Sequence, residues 1–184
     1  MRVLLTSAGL ETEIIQKYFV KMLEKDVSKV RALFIPTAAI DAGTIKVLPK
    51  CMNDLLKCGI DNIIVFDLHT GMEISELQKY DVVYLCGGNP SYLLERVNAT
   101  GFGESLMEYI EGNGLVIGVS AGSLIFSNNL VDNLGLIDTA LYVHCQDGET
   151  IGKIDYPLKD HIKLTNICAI AIREISNGIE IIGE

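Results

Sequence analysis

No apolar run in the 184-residue chain approaches the roughly 18 residues that a membrane-spanning helix needs, so no transmembrane segment is expected. The opening Met1-Arg2-Val3-Leu4-Leu5-Thr6 is too brief for the apolar region of a signal peptide and reads as a first strand. Positive charge is scarce. The 15 Lys and Arg stand against 24 Asp and Glu, and the formal net charge of -9 works against binding to phosphate backbones and anionic lipid. Neither nucleic acid nor membrane is therefore expected as a partner. The five cysteines (Cys51, Cys58, Cys86, Cys145, Cys168) are odd in number and include no CxxC pair, so reduced thiols and a cytoplasmic location are the simplest account. The three histidines lack ligand spacing and no Cys or His cluster is present, so no metal site is expected. Gly87-Gly88 has neither the third glycine of a dinucleotide fingerprint nor the Lys-Ser/Thr of a P-loop, and no cofactor is expected.

Hydrophobic residues make up 49% of the chain and charged residues 21%, enough apolar content for one folded domain over residues 1–184. A homodimer is compatible with such a domain, although no residue demands it. Short β-branched apolar runs alternate with amphipathic stretches, the pattern of buried parallel strands and covering helices. Strands are expected at Arg2 to Thr6, Val30 to Ile35, Ile63 to Phe66, Asp81 to Cys86 and Leu115 to Val119. Helices are expected after the first strand, where Ile14, Ile15, Tyr18, Phe19, Met22 and Leu23 recur at helical spacing, over Thr44 to Cys58, and from Ser91 with Leu93, Leu94 and Val97 on one face. After Ser127 the pattern weakens. The runs Leu141 to Val143, Ile162 to Thr165, Ala169 to Ile172 and Ile179 to Ile182 read as short strands at the edge of the sheet. The fold class is α/β, a mostly parallel doubly wound sheet whose ligands lie beyond the carboxyl ends of the strands.

Gly118-Val119-Ser120-Ala121-Gly122-Ser123 follows an apolar strand and leads into the helix-like Leu124-Ile125-Phe126. That is the context of a nucleophile elbow: glycines let strand and helix backbones approach, and the helix start favours negative charge beside an exposed Ser120. Alone, G-x-S-x-G has a bland explanation as a Gly-rich turn. A second turn, Cys86-Gly87-Gly88-Asn89-Pro90, ends the preceding strand, so two sets of backbone amides are expected side by side. Gly88 and Ala121 are the candidate oxyanion donors.

With both turns in view, the sequence resembles peptidase family S51, which includes dipeptidase E and the cyanophycinases. The resemblance rests on Leu4-Leu5-Thr6-Ser7, Phe34-Ile35-Pro36-Thr37-Ala38, Gly87-Gly88-Asn89-Pro90 with Leu93-Leu94, and Gly118 to Ser123. It implies a flavodoxin-like three-layer sandwich related to class I glutamine amidotransferases, with Ser in the elbow where those carry Cys. It also implies a serine peptidase acting on short peptides, with a preference for an N-terminal aspartate.

The resemblance places the base at His144, in Tyr142-Val143-His144-Cys145 after Leu134-Gly135-Leu136, although Val143 and Cys145 replace the usual Pro and aromatic. An imidazole with an unperturbed pKa of about 6.5 suits the role. His69 and His161 read as solvated or hydrogen-bonded loop residues. The family's acidic third member falls at Asn166, an amide that can orient the ring without offsetting its charge, which leaves Asp132, Asp138 and Asp160 as alternatives. Asn89 and Lys153 are the substrate-binding candidates; Lys153 and Lys159 lack the bidentate fork of the Arg usual in the family, so strict Asp preference does not carry over. Cys145 adjoins His144 on a strand, and the two side chains are expected on opposite faces. The departures around His144 and Asn166 keep open a second reading, a non-catalytic member that binds a small peptide or a partner protein.

Overall fold

Along β1 (Arg2–Thr6), Val3 and Leu5 belong to one hydrophobic cluster and Leu4 to another, and all three are fully buried. A strand buried on both faces requires a covering layer on each side. The computed structural model of the chain describes residues 1–146, 161–173 and 178–183, and it supplies both layers.

Parallel strands β2 (Arg31–Ile35), β3 (Asn62–Val65), β4 (Val82–Leu85) and β5 (Leu115–Val119) join β1, with β8 (Cys168–Ile172) antiparallel to β1 and β9 (Ile179–Gly183) antiparallel to β8. The order across the sheet is β3-β2-β4-β5-β1-β8-β9. On one face, α1 (Glu13–Leu23) and α3 (Leu48–Lys57) bury Ile15, Phe19, Cys51 and Leu55 against Leu4, Phe34 and Tyr84. On the other, α4 (Ile74–Leu77), α5 (Pro90–Ala99), α6 (Phe102–Glu111) and α7 (Ala121–Leu124) bury Leu77, Leu93, Val97, Phe102 and Leu106 against Leu5, Leu33, Val83 and Val116. This is the expected three-layer, mostly parallel α/β sandwich. No helix among the described residues is long and apolar enough to cross a membrane.

Several local expectations are corrected. The single helix over Thr44 to Cys58 is two: α2 (Ala42–Ile45), held by a capping box between Asp41 and Thr44, and then α3, which restarts with Pro49 in its first turn. Proline lacks the amide that a continuous helix would spend at that point, so the break falls there. No helix was expected between Val97 and Leu115, where α6 lies. It starts from Gly101 in the left-handed region (φ 71°) without a side-chain cap and carries Gly103 in its first turn, so the usual start signals are missing. Of the four late strands, β8 and β9 extend the main sheet, but β6 (Ala140–Cys145) and β7 (His161–Thr165) form a separate parallel pair. The main sheet's edge beyond β1 is already occupied by β8 and β9, and the chain passes from one sheet to the other at Asn166-Ile167, between β7 and β8.

Candidate active site

Ser120 follows β5 with φ 47° and ψ -106°, a backbone conformation that side chains rarely adopt. Neighbouring glycines explain how the turn closes. A Cβ on Gly118 would lie 2.5 Å from the Gly122 carbonyl oxygen, and one on Gly122 would lie 2.4 Å from that of Leu85. The bend is anchored to β1 by the Ser120 amide on the Thr6 carbonyl (3.0 Å). Buried Ser123 anchors it further, with its hydroxyl 2.8 Å from both the Thr6 and Gly118 carbonyls. α7 spans only four residues, shorter than the expected helix, so negative charge at Ser120 would meet individual amides and little accumulated helix dipole.

The Gly87-Gly88 turn stands directly beside the elbow, since a Cβ on Gly87 would lie 3.3 Å from Ser120 Cβ. Gly88 has φ +144°, and a side chain there would fall 2.0 Å from the Ala38 carbonyl oxygen, which instead accepts the Asn89 amide at 2.7 Å. The Gly88 and Ala121 amides make no hydrogen bond among the described residues, and Gly88 lines the cavity described below. Asn89 caps α5 through its side-chain oxygen on the Tyr92 amide (3.0 Å) and does not line the cavity described below.

His144 lies in an irregularity of β6, where the register against β7 shifts between Tyr142 and Cys145, and its φ is 59°. The bulge re-aims the ring. Nε2 is 3.0 Å from Ser120 Oγ, and Nδ1 is 2.9 Å from Asn166 Oδ1. The Cys145 thiol turns to the Tyr142 carbonyl, 3.7 Å away. Asp132 and Asp138 are both exposed and make no contact with the ring among the described residues. Asp160, Lys153 and Lys159 lie outside the described residues. The other histidines are occupied elsewhere: His69 faces Asp67 at 3.2 Å, and His161 meets the Tyr142 ring edge-on at 5.4 Å between centroids.

One contact residue was not foreseen. Ser7, fully buried just past the end of β1, accepts the His144 backbone amide at 2.6 Å and donates to Asn166 Oδ1 at 3.0 Å. Because β1 lies between β5 and β8, residues 120, 7 and 166 follow or precede three neighbouring strands along one sheet edge. A hydroxyl immediately after the first strand was the available signal, but the strand order that gives it meaning is not readable from the sequence.

Ser7, Gly88, Ser120, His144 and Asn166 line a cavity of about 490 Å³, whose wall also carries Glu11, Lys50 and Cys51. Lys50 is ion-paired with Glu11 and also donates to the Ala8 carbonyl at 3.3 Å. Below that wall, buried Asp54 accepts from the Leu10 amide (3.0 Å) and the Tyr84 hydroxyl (2.9 Å), and burial pushes its carboxyl above the ordinary value. The loop that presents Glu11 is therefore held from beneath by a carboxyl group. Among the described residues, no group of three or more His, Cys, Asp and Glu is placed to hold a metal ion.

The chain is similar to known proteins. The chain is 26% identical over 140 residues to an uncharacterized peptidase of Listeria monocytogenes, a stretch covering 72% of this chain and 65% of the relative. It is 28% identical over 132 residues to peptidase E of Streptomyces coelicolor, covering 71% and 51% of the two chains. The matches span 47% to 65% of the length of the curated relatives. Among solved structures, a Listeria monocytogenes protein provisionally named peptidase E superposes with a TM-score of 0.72 at 22% identity, over 100% of this chain and 98% of the other. A peptidase from an acI-B1 actinobacterium superposes with a TM-score of 0.69 at 17% identity, over 100% and 87%. At those identities the two structures establish the fold. The sequence profile of peptidase family S51 matches residues 3–166, and the chain belongs to that family.

Proposed function

We propose that the protein is a serine-type peptidase that cleaves short peptides in the cytoplasm through an acyl-enzyme, without a cofactor. The observation that carries this reading is the 3.0 Å contact between Ser120 Oγ and His144 Nε2, with the ring's other nitrogen on Asn166. Such a contact lets the serine proton pass to imidazole as Oγ attacks a peptide carbonyl. The carbonyl oxygen, taking up negative charge, is received by the Gly88 and Ala121 amides. Collapse of the tetrahedral adduct breaks the C–N bond, and Nε2 returns the proton to the leaving amine. Water then repeats the sequence and releases the acid.

Asn166 orients the ring but brings no charge to offset imidazolium, so turnover is slower than with a carboxylate. Lys50, the cation lining the cavity among the described residues, is already paired with Glu11. A peptide with an N-terminal aspartate must compete for it, so such substrates are accepted without being required. The second reading, a silent member that binds a peptide or partner protein, draws on the same amide.

A fluorophosphonate probe and a dipeptide library separate the two. The peptidase reading expects labelling and hydrolysis by wild type, both lost in Ser120→Ala. Equal labelling of both proteins refutes the mechanism, and binding without turnover across the library supports the binder.

A further inference from the structure

We infer that Ser7 is a positioning residue that selects the productive tautomer of His144 by fixing which face of the Asn166 amide meets the ring. The inference rests on the serine-peptidase reading for its catalytic consequence, though not for its structural content. A carboxylate behind an imidazole has two equivalent oxygens and cannot be turned the wrong way. An amide can, because one end accepts and the other donates. With its oxygen toward Nδ1, Asn166 accepts Nδ1–H and leaves Nε2 as the acceptor for the Ser120 proton. With its NH2 toward Nδ1, the proton moves to Nε2, which can then no longer take one from Ser120.

Ser7 discriminates between these arrangements. Its hydroxyl has one hydrogen and already accepts the His144 backbone amide at 2.6 Å. The hydrogen goes to Asn166 Oδ1 at 3.0 Å, the nearer acceptor, with Nδ1 3.3 Å away. Asn166 Oδ1 thus receives two donors, Ser7 and His144 Nδ1 at 2.9 Å. Turning the amide would force the hydroxyl to rotate and give its hydrogen to Nδ1 across the longer 3.3 Å contact, so the oxygen-inward amide is favoured. Ser7 is held among buried residues, whereas Asn166 lies in an exposed corner between β7 and β8 and has few other restraints. The contact on the His144 amide also holds that residue at φ 59°, which keeps the ring within reach of the Asn166 oxygen.

The test is a cycle of Ser7→Ala and Asn166→Asp in the full chain, read by steady-state kinetics and by 15N NMR of the imidazole nitrogens. Ser7→Ala is expected to lower kcat about tenfold with KM changed less than about twofold, and to move the His144 proton from Nδ1 toward Nε2. Ser7→Thr, which keeps the hydroxyl, restores the wild-type nitrogen spectrum. In the Asn166→Asp background, where there is no wrong face, removing Ser7 lowers kcat less than in wild type, the remaining loss coming from the His144 amide it anchors. If Ser7→Ala is too unstable to purify, Ser7→Cys, a weaker donor of similar size, takes its place.

An unchanged tautomer in the Ser7 variant overturns the inference, as does an equal loss of kcat in both backgrounds. The nitrogen spectrum does not require turnover. If wild type proves inactive yet the Ser7 variant shifts the proton, the peptidase reading fails while the tautomer-setting role of Ser7 stands.

Discussion

Ser120 and His144 meet at 3.0 Å from backbones that both hold positive φ, 47° and 59°. Each such conformation costs a non-glycine residue about 1–3 kcal/mol, so the contact exists only because surrounding structure enforces it at both ends. At the Ser120 end the enforcement is steric, through Gly118 and Gly122, with Ser123 tying the bend to β1. At the His144 end it is the strand irregularity and the hydroxyl of Ser7. Different changes should therefore break the site in different ways.

Asn166→Asp places a carboxylate 2.9 Å from Nδ1, where it would stabilise the imidazolium of the proposed acyl transfer. An increase in kcat of about tenfold is expected. A neighbouring negative charge favours protonated imidazole, so the acid limb of the kcat/KM profile should move to higher pH than in wild type. Full pH–rate profiles of the two proteins check both effects, and an acid limb that moves down excludes the assigned geometry.

Gly88→Ala and Gly122→Ala should separate chemistry from stability. In Gly88→Ala the new Cβ meets the Ala38 carbonyl at 2.0 Å, so the turn must shift and its amide leaves the oxyanion position, lowering kcat about 100-fold. In Gly122→Ala the clash with the Leu85 carbonyl at 2.4 Å pries the elbow from β4 and should cost about 3 kcal/mol of folding stability. Urea unfolding alongside kinetics distinguishes the two. Wild-type stability in Gly122→Ala would mean that the elbow is less tightly packed than described.

The charged wall of the cavity gives a pair of opposite expectations. Lys50→Met leaves Glu11 unpaired, so KM for a dipeptide with an N-terminal aspartate should rise about tenfold relative to a neutral one. Glu11→Gln frees Lys50 and should shift the same ratio the other way. Parallel KM measurements on Asp-Leu and Ala-Leu decide it, and shifts of the same sign in both variants exclude a role for the pair in charge selection.

Asp54 gives the stability a pH dependence of definite sign. Burial raises its folded pKa above the ordinary 3.8, so in the interval between those two values the native state binds more protons than the unfolded chain. Its contribution to stability is present below that interval and declines as pH rises through it. Asp54→Asn keeps an oxygen for the Leu10 amide and Tyr84 hydroxyl but cannot ionise, so the difference in Tm between variant and wild type should change across this acidic window and level off above it. A pH-independent difference excludes an ionising Asp54 as its source.

The sheet and the strained bend at Ser120 were legible because their causes are local. Leu115 to Val119 is apolar on both faces, and the residues after it combine two glycines with a serine, a pattern that a strained turn between buried strand and helix requires. The same locality explains the corrected boundaries. Pro49 splits a helix by removing one amide, and α6 begins at a left-handed glycine that hides its start.

What only the tertiary structure decided is everything that depends on which strands are neighbours. The sequence by itself determined that Ser120 would lie on a tight bend and that an amide, not a carboxylate, occupies position 166. It did not determine that β1 would lie between β5 and β8, and so could not bring Ser7 against both His144 and Asn166. Nor could it bring Lys50 and Glu11, 39 positions apart, into the same cavity as the serine. Hydrophobic period and turn chemistry act over a few residues, whereas the order of strands reflects how the whole chain buries its two cores, and a hydrogen-bonded group assembled from several strand ends is specified only once that order exists.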